Sequence, residues 1–429
     1  MLSRDFVTQL WDRIRTSLWF VPGVMAVGAI MLAATIPWID DAAPDALASL
    51  PLVYSSGPAG ARAVLSTIAT SMITIAGVVF SMTIVSLQLA SSQFGPRLLR
   101  TFLRDRVNQV VLGTFIATFL YCVLVMPRVD GMTDSVHVPH LAITLAIALA
   151  LLGLGMLVYF IDHVAQSIHA DAVVASVANE LDRTIDSLYP EAVGTAPPPA
   201  VTPPDPPAAG HPVAATSSGY LRFIDGDALL RLATDGDLVI HLATIVGRYV
   251  VDGAVLATID GASVAPATVD AVRDACVLGS HRSALQDVSF PFEQLAEMAV
   301  RALSAGINDP TTAIHCVDRI GSGLARLVAR DLPSSVRIAP DGAARLVAPR
   351  VTLADVLRAS VDPIARNAGA QFVVWMRLLA VLALVRTRAR RTDDRETIDL
   401  HVSRVLKMTE AAFDDPEDRR RLAAAAARP

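Results

Sequence analysis

Four apolar runs dominate the first 161 residues: Leu18–Ile39, Val64–Leu89, Val107–Met126 and Leu141–Ile161. Each approaches the roughly 20 residues that a helix needs to cross a bilayer. Hydrocarbon offers no partner to backbone N–H and C=O groups, so each run is expected to be a helix that satisfies its own backbone. Trp19 and Trp38 stand near the two ends of the first run, where amphipathic rings favour the lipid–water interface. That run is longer than a secretory signal core and no small-residue cleavage site follows it, so it reads as a retained span. The expected fold class is an α-helical membrane protein with about four transmembrane helices, followed by a cytoplasmic α+β region containing a small β-rich module.

The second run differs from the others in carrying polar groups at helical spacing. Thr67, Ser71, Thr74, Ser81, Gln88 and Ser92 fall on one face of a helix. Such groups point towards another helix or towards a wetted path, and the sequence leaves both open. After Gly95-Pro96 the chain turns basic and amphipathic over 97–106, with Arg97, Arg100 and Arg104 set against Leu98, Leu99, Phe102 and Leu103. That segment is expected to lie at a lipid surface.

Basic residues gather before the first span and between the second and third. The other two loops carry Asp40, Asp41 and Asp45, and then Asp130 and Asp134 beside Arg128. The excess of Arg on one side is expected to place both basic segments in the cytoplasm, with both termini. A net charge of -5 gives no support for nucleic-acid binding. Cys122, Cys276 and Cys316 lie far apart without metal spacing, and no cofactor or metal is expected.

The domain boundaries follow from changes in pattern. A four-span domain over 1–163 leads into a stalk helix at 164–190, with Asp162, His163 and His169 at its start as candidate proton-responsive groups. A Pro/Ala-rich stretch over 191–218 reads as a disordered linker. Short strands punctuated by Asp-Gly pairs follow over 219–262, then a helix around Thr268–Leu278 and a helical region over 263–415. Residues 416–429 read as a flexible tail. Within the helical region, Asn308, Asp309, Thr311, Thr312 and His315 surround a helix start with Pro310 in its first turn. That junction serves as a cap, or else as a pocket for an inorganic ion or small polar ligand, with Arg282 or Arg319 as an added cation. Walker, Gly-x-Gly-x-x-Gly, His-Glu-x-x-His and Gly-x-Ser-x-Gly motifs are absent from the sequence, which weakens an enzymatic reading.

Four long motifs carry a resemblance: VVFSMTIVSLQLASSQFGPRLLRTFLRDRVNQ, DHVAQSIHAD, SGYLRFID and RALSAGINDPTTAIHCVDRI. In these the chain resembles a bacterial family of predicted multi-pass membrane proteins catalogued as a domain of unknown function. Ala305 replaces the proline usual in the family's Ser-Pro-Gly-Ile-Asn-Asp-Pro, and Asp162-His163 stands where His-His is common. The resemblance implies a membrane class and no activity.

Three functions are compatible with these features. The first is a homo-oligomeric, anion-preferring channel or pore lined by the second span's polar face, with Arg97, Arg100 and Arg104 at its cytoplasmic mouth and the cytoplasmic domain as its gate. The second is a non-conducting scaffold or sensor anchored in the bilayer, whose cytoplasmic domain binds a partner or small ligand. The third is a membrane enzyme acting near Asp162, His163 and His169.

Overall fold

The computed structural model of the protein describes residues 19–42, 57–94, 106–130, 138–167, 169–189, 210–331, 334–340 and 342–427. It divides into an N-terminal unit, 1–169, and a C-terminal unit, 170–429. Arg97, Arg100 and Arg104 lie outside the described residues.

The N-terminal unit contains α1 (Phe20–Ala42), α2 (Pro58–Phe94), α3 (Arg106–Val125), a 3-10 turn at Met126–Asp130, and α4 (His140–Ser167). All four α-helices are long and apolar enough to span a bilayer. α3 is the central one, touching α1, α2 and α4. Half of its apolar segment is buried, against 22% for each of the others. Close approach of α1 to α3 depends on Gly113, where a Cβ would come within 2.6 Å of Met25 Sδ and 3.2 Å of Pro22 Cα. Around α3, Phe115 and Tyr121 are fully buried, while Trp38, Leu151 and Val158 face outwards as lipid-facing side chains should.

One buried carboxylate ties α1 to α4. Asp40, near the end of α1, is 2% exposed and accepts hydrogen bonds from the Leu141 amide at 2.9 Å and the Ala142 amide at 3.0 Å. The first amides of a helix have no partner within it, and the helix dipole favours a negative charge there. Tyr121 of α3 donates its hydroxyl to the Ala142 carbonyl at 3.0 Å. The start of α4 is thus held by side chains of both α1 and α3.

The C-terminal unit opens with α5 (Ala170–Leu188), then β1 (His211–Ala214), β2 (Gly219–Ile224), α6 (Gly226–Asp235), β3 (Val239–Leu242), β4 (Tyr249–Val250) and β5 (Val255–Asp260). It continues through α7 (Pro266–Asp274), β6 (Cys276–Gly279), α8 (Ser289–Ala302), α9 (Pro310–Val328), β7 (Val336–Ile338) and β8 (Ala344–Val347). Four helices close the chain: α10 (Leu353–Asn367), α11 (Phe372–Arg388), α12 (Thr392–Ala412) and α13 (Pro416–Ala427). A five-stranded sheet runs β1-β5-β3-β8-β7, and a three-stranded sheet runs β4-β2-β6. Among the described residues β3 and β8 pair in parallel and the other pairs are antiparallel. Leu221, Leu229, Ile240, Leu256 and Ile259 fill the core shared by these strands and α6.

The sheets draw on residues from outside the stretch 219–262. β1 comes from the Pro/Ala-rich region, and its Val213 is fully buried opposite Ala257. The helix expected at Thr268–Leu278 stops at Asp274, because Cys276–Gly279 leaves it to pair with β2. Residues 416–427, expected as part of a flexible tail, form α13: Leu422 is fully buried, and the Arg421 guanidinium lies 4.8 Å from the centre of the Phe372 ring.

Replacing Asp40 with Ala removes the acceptor of two buried amides, which should lower stability by about 1–3 kcal/mol. Unfolding of the purified protein in detergent measures this, and Asp40→Asn, which keeps one acceptor oxygen, should lose less.

Candidate functional site

α2 presents most of its polar residues away from its own bundle, although Ser86 is buried and Thr83 half-buried. Ala61, Leu65, Ala69, Met72, Ala76 and Val79 face inwards and are buried. Thr67, Ser71, Thr74, Ser81 and Gln88 are all exposed, along with Thr70 and Gly77 on the same side. Hydrogen bonding on this face is uneven. Thr67 donates to the Ala63 carbonyl and Thr74 to the Thr70 carbonyl, each at 2.7 Å, so both hydroxyls are satisfied within the helix. Ser92 belongs to α2, but its side chain lies outside the described residues.

Asp162, His163 and His169 are not brought together. Asp162 accepts from Gln166 Nε2 at 2.8 Å on the same helix, and the His163 ring stacks on Tyr159 with centroids 6.0 Å apart. His169 follows α4, and its amide reaches the Gln166 carbonyl at 3.3 Å. Among the described residues no three His, Cys, Asp or Glu side chains stand close enough to hold a metal ion.

A histidine elsewhere, His315, does meet a carboxylate: its Nδ1 lies 2.5 Å from Asp171 Oδ1. Asp171 sits in the first turn of α5, and His315 is on α9. The same two helices are joined further along by charge. Arg326 reaches Asp182 at 2.6 Å and Asp186 at 2.7 Å. Arg330, largely buried, pairs with Asp186 and donates to the carbonyls of Ile185 and Tyr189 at the C-terminal end of α5. A cation at that end opposes the negative pole of the helix while satisfying its last carbonyls. Beneath these pairs, Val173, Val177, Leu181 and Ile185 give α5 a buried apolar face. The 3.6-residue period of that face was legible in the sequence; its partner, 140 residues away, was not.

The junction before α9 is a built cap. Asp309 accepts from the Thr312 amide at 3.1 Å and from the Thr312 hydroxyl at 2.5 Å, and Pro310 occupies the first turn. Asn308 takes a left-handed conformation, φ 48°, and its side-chain oxygen accepts from Gln371 at 2.9 Å. Thr311 is exposed beside them. Arg282 does not join this group: it forks between Asp287 and Glu293, and Arg319 is exposed on α9. The Thr312 hydroxyl, helped by the amides of Thr311 and Thr312, holds the Asp309 carboxyl below its usual range, against a weaker upward push from burial.

The four membrane-length helices followed by a mixed α/β unit with two small sheets define a multi-pass membrane protein. Residues 15–384 match the family described as "Predicted membrane protein (DUF2254)", and the chain belongs to that family. It is 34% identical over 426 residues to the Mycobacterium tuberculosis protein printed as "Uncharacterized protein Rv1290c", covering 97% of this chain and 81% of the relative. The Mycobacterium bovis protein "Uncharacterized protein Mb1321c" is similar at the same identity and coverage. No solved structure matches the chain.

Asp309→Ala should cost about 0.5–2 kcal/mol through loss of the cap. Because the folded-state pKa of Asp309 is depressed, its contribution is present above the unfolded value of 3.8 and is lost as pH falls through the folded value. Urea unfolding at neutral pH should therefore separate Asp309→Ala from the unaltered protein, with the gap closing below pH 3.8.

Proposed function

We propose that the protein is a homo-oligomeric channel or pore of the bacterial inner membrane, with the polar face of α2 towards the assembly axis and both termini in the cytoplasm. The supporting observation is that Thr67, Ser71, Thr74, Ser81 and Gln88 are exposed on the outside of their own four-helix unit. Facing lipid, Ser and Gln side chains would meet no partner; facing the same surface of neighbouring copies, they would meet each other and water. Copies related by rotation about an axis place one such face from each around a shared path. Arg97, Arg100 and Arg104 at the cytoplasmic mouth would bias that path towards anions. The C-terminal unit would act as the gate, with α5 as the first element after the last span and its ion pairs to α9 setting its position.

The internal bonds of Thr67 and Thr74 favour a second reading, in which the stripe is a dry packing surface and the protein a non-conducting scaffold or sensor. Ion flux into liposomes, with the oligomeric state measured on the same sample, separates the two. A conducting assembly should lose or change its flux on Ser81→Leu while remaining assembled. Were the unaltered oligomer to pass neither anions nor cations across voltage, pH and tension, the pore reading would fail. Loss of assembly on Ser81→Leu in a non-conducting protein would mark a packing face.

A further inference from the structure

A cavity of about 550 Å³ in the C-terminal unit lies between the loop that follows β3, the start of α8, and α10. Its inner wall is an ion cluster of Arg282, Asp287 and Glu293. Arg282 donates to both oxygens of Glu293 and reaches Asp287 Oδ2 at 2.8 Å, while Asp287 also accepts from the Phe290 amide. The Asp287 side chain is 1% exposed. The loop is pinned directly above it: Gly247 has φ 92°, and a Cβ there would stand 2.1 Å from Asp287 Oδ2. One cation is shared here by two carboxylates, so the formal charge of this wall is negative.

The mouth of the cavity has the opposite balance. Arg248 and Arg358 line it and are exposed. Asp355 is the carboxylate beside them, but its Oδ2 is committed to the Thr352 amide and hydroxyl in the cap of α10. Arg358 reaches only Asp355 Oδ1, at 3.3 Å, and the Arg248 guanidinium has no hydrogen bond or ion pair among the described residues. Two guanidinium groups therefore share one half-committed carboxylate, leaving several N–H donors unused. Between mouth and inner wall runs an apolar seam of Ile245, Val246 and Val351, which also borders an adjoining cavity of about 460 Å³.

We propose that this cavity binds a small organic anion, one phosphate or carboxylate group joined to an apolar body. The two arginines hold the anionic group at the mouth, where the planar fork of a guanidinium matches two oxygens at once. The negative inner wall repels that group from the base, so the apolar body enters along the Val246–Val351 seam. The volume falls in the range of small-molecule sites, and the mixture of an apolar lining with a few convergent polar groups is typical of them. The proposal holds whether or not the protein conducts ions.

Isothermal titration calorimetry on the full chain in detergent, with phenyl phosphate as probe, tests it. One saturable site per chain is expected, at least tenfold tighter than for inorganic phosphate or phenol. Arg248→Ala/Arg358→Ala alters only exposed side chains, so it should keep the unliganded unfolding midpoint and weaken phenyl phosphate at least tenfold. Three results would overturn the proposal: no saturable heat with phenyl phosphate, inorganic phosphate binding as tightly as phenyl phosphate, or an unchanged affinity in the double variant. The comparison of the three probes on the unaltered protein decides the ligand class without relying on any variant.

Discussion

The absence of hydrogen-bond partners in hydrocarbon governs the N-terminal unit of this protein. It demands helices wherever the chain crosses lipid, and it makes every helix end a place where backbone amides must find something else. Asp40 answers that need for α4, because a carboxylate held at a helix N-terminus satisfies two amides and opposes the dipole with one side chain. The same residue fixes which end of α1 meets which end of α4. Gly113 then sets how closely α1 and α3 can lie, since any larger side chain would meet the backbone of Pro22.

The C-terminal unit is held by different means. Its sheets are short, and their core is a single apolar cluster shared with α6. Its helices are joined by buried apolar faces supplemented by charge at defined points, most densely between α5 and α9. Exposed ion pairs contribute about 0–1 kcal/mol each. The largely buried Arg330 has a larger role, because it also satisfies the last carbonyls of α5.

The outward polar face of α2 and the arginine-rimmed cavity obey one rule. Polar groups left without partners inside a single chain indicate what the chain meets beyond itself. On α2 that reasoning rests on Ser71, Ser81 and Gln88 and supports the proposed path between neighbouring copies; at the cavity mouth it rests on Arg248 and supports the proposed anion site. The Asp309 junction shows the contrary case. Its carboxylate and the Thr312 hydroxyl satisfy each other, so the geometry there is explained by helix capping alone.

Local sequence was enough for the four spans and for the polar spacing on the second of them, and it marked a helix start at Asn308 and Asp309 while leaving cap and pocket both open. These depend on local period and composition: apolar length, i and i+4 spacing, and the short reach from a capping side chain to the amide three residues on. Tertiary structure decided that the stripe faces outwards, that His315 meets Asp171 rather than Asp162, His163 and His169 meeting one another, and that Arg282 is spent on Asp287 and Glu293. It also decided the strands at 276–279, 336–338 and 344–347, each of three or four residues and stabilised by partners far along the chain. Such segments are too short for a period to emerge, and their free energy lies in cross-strand contacts that the local sequence does not contain.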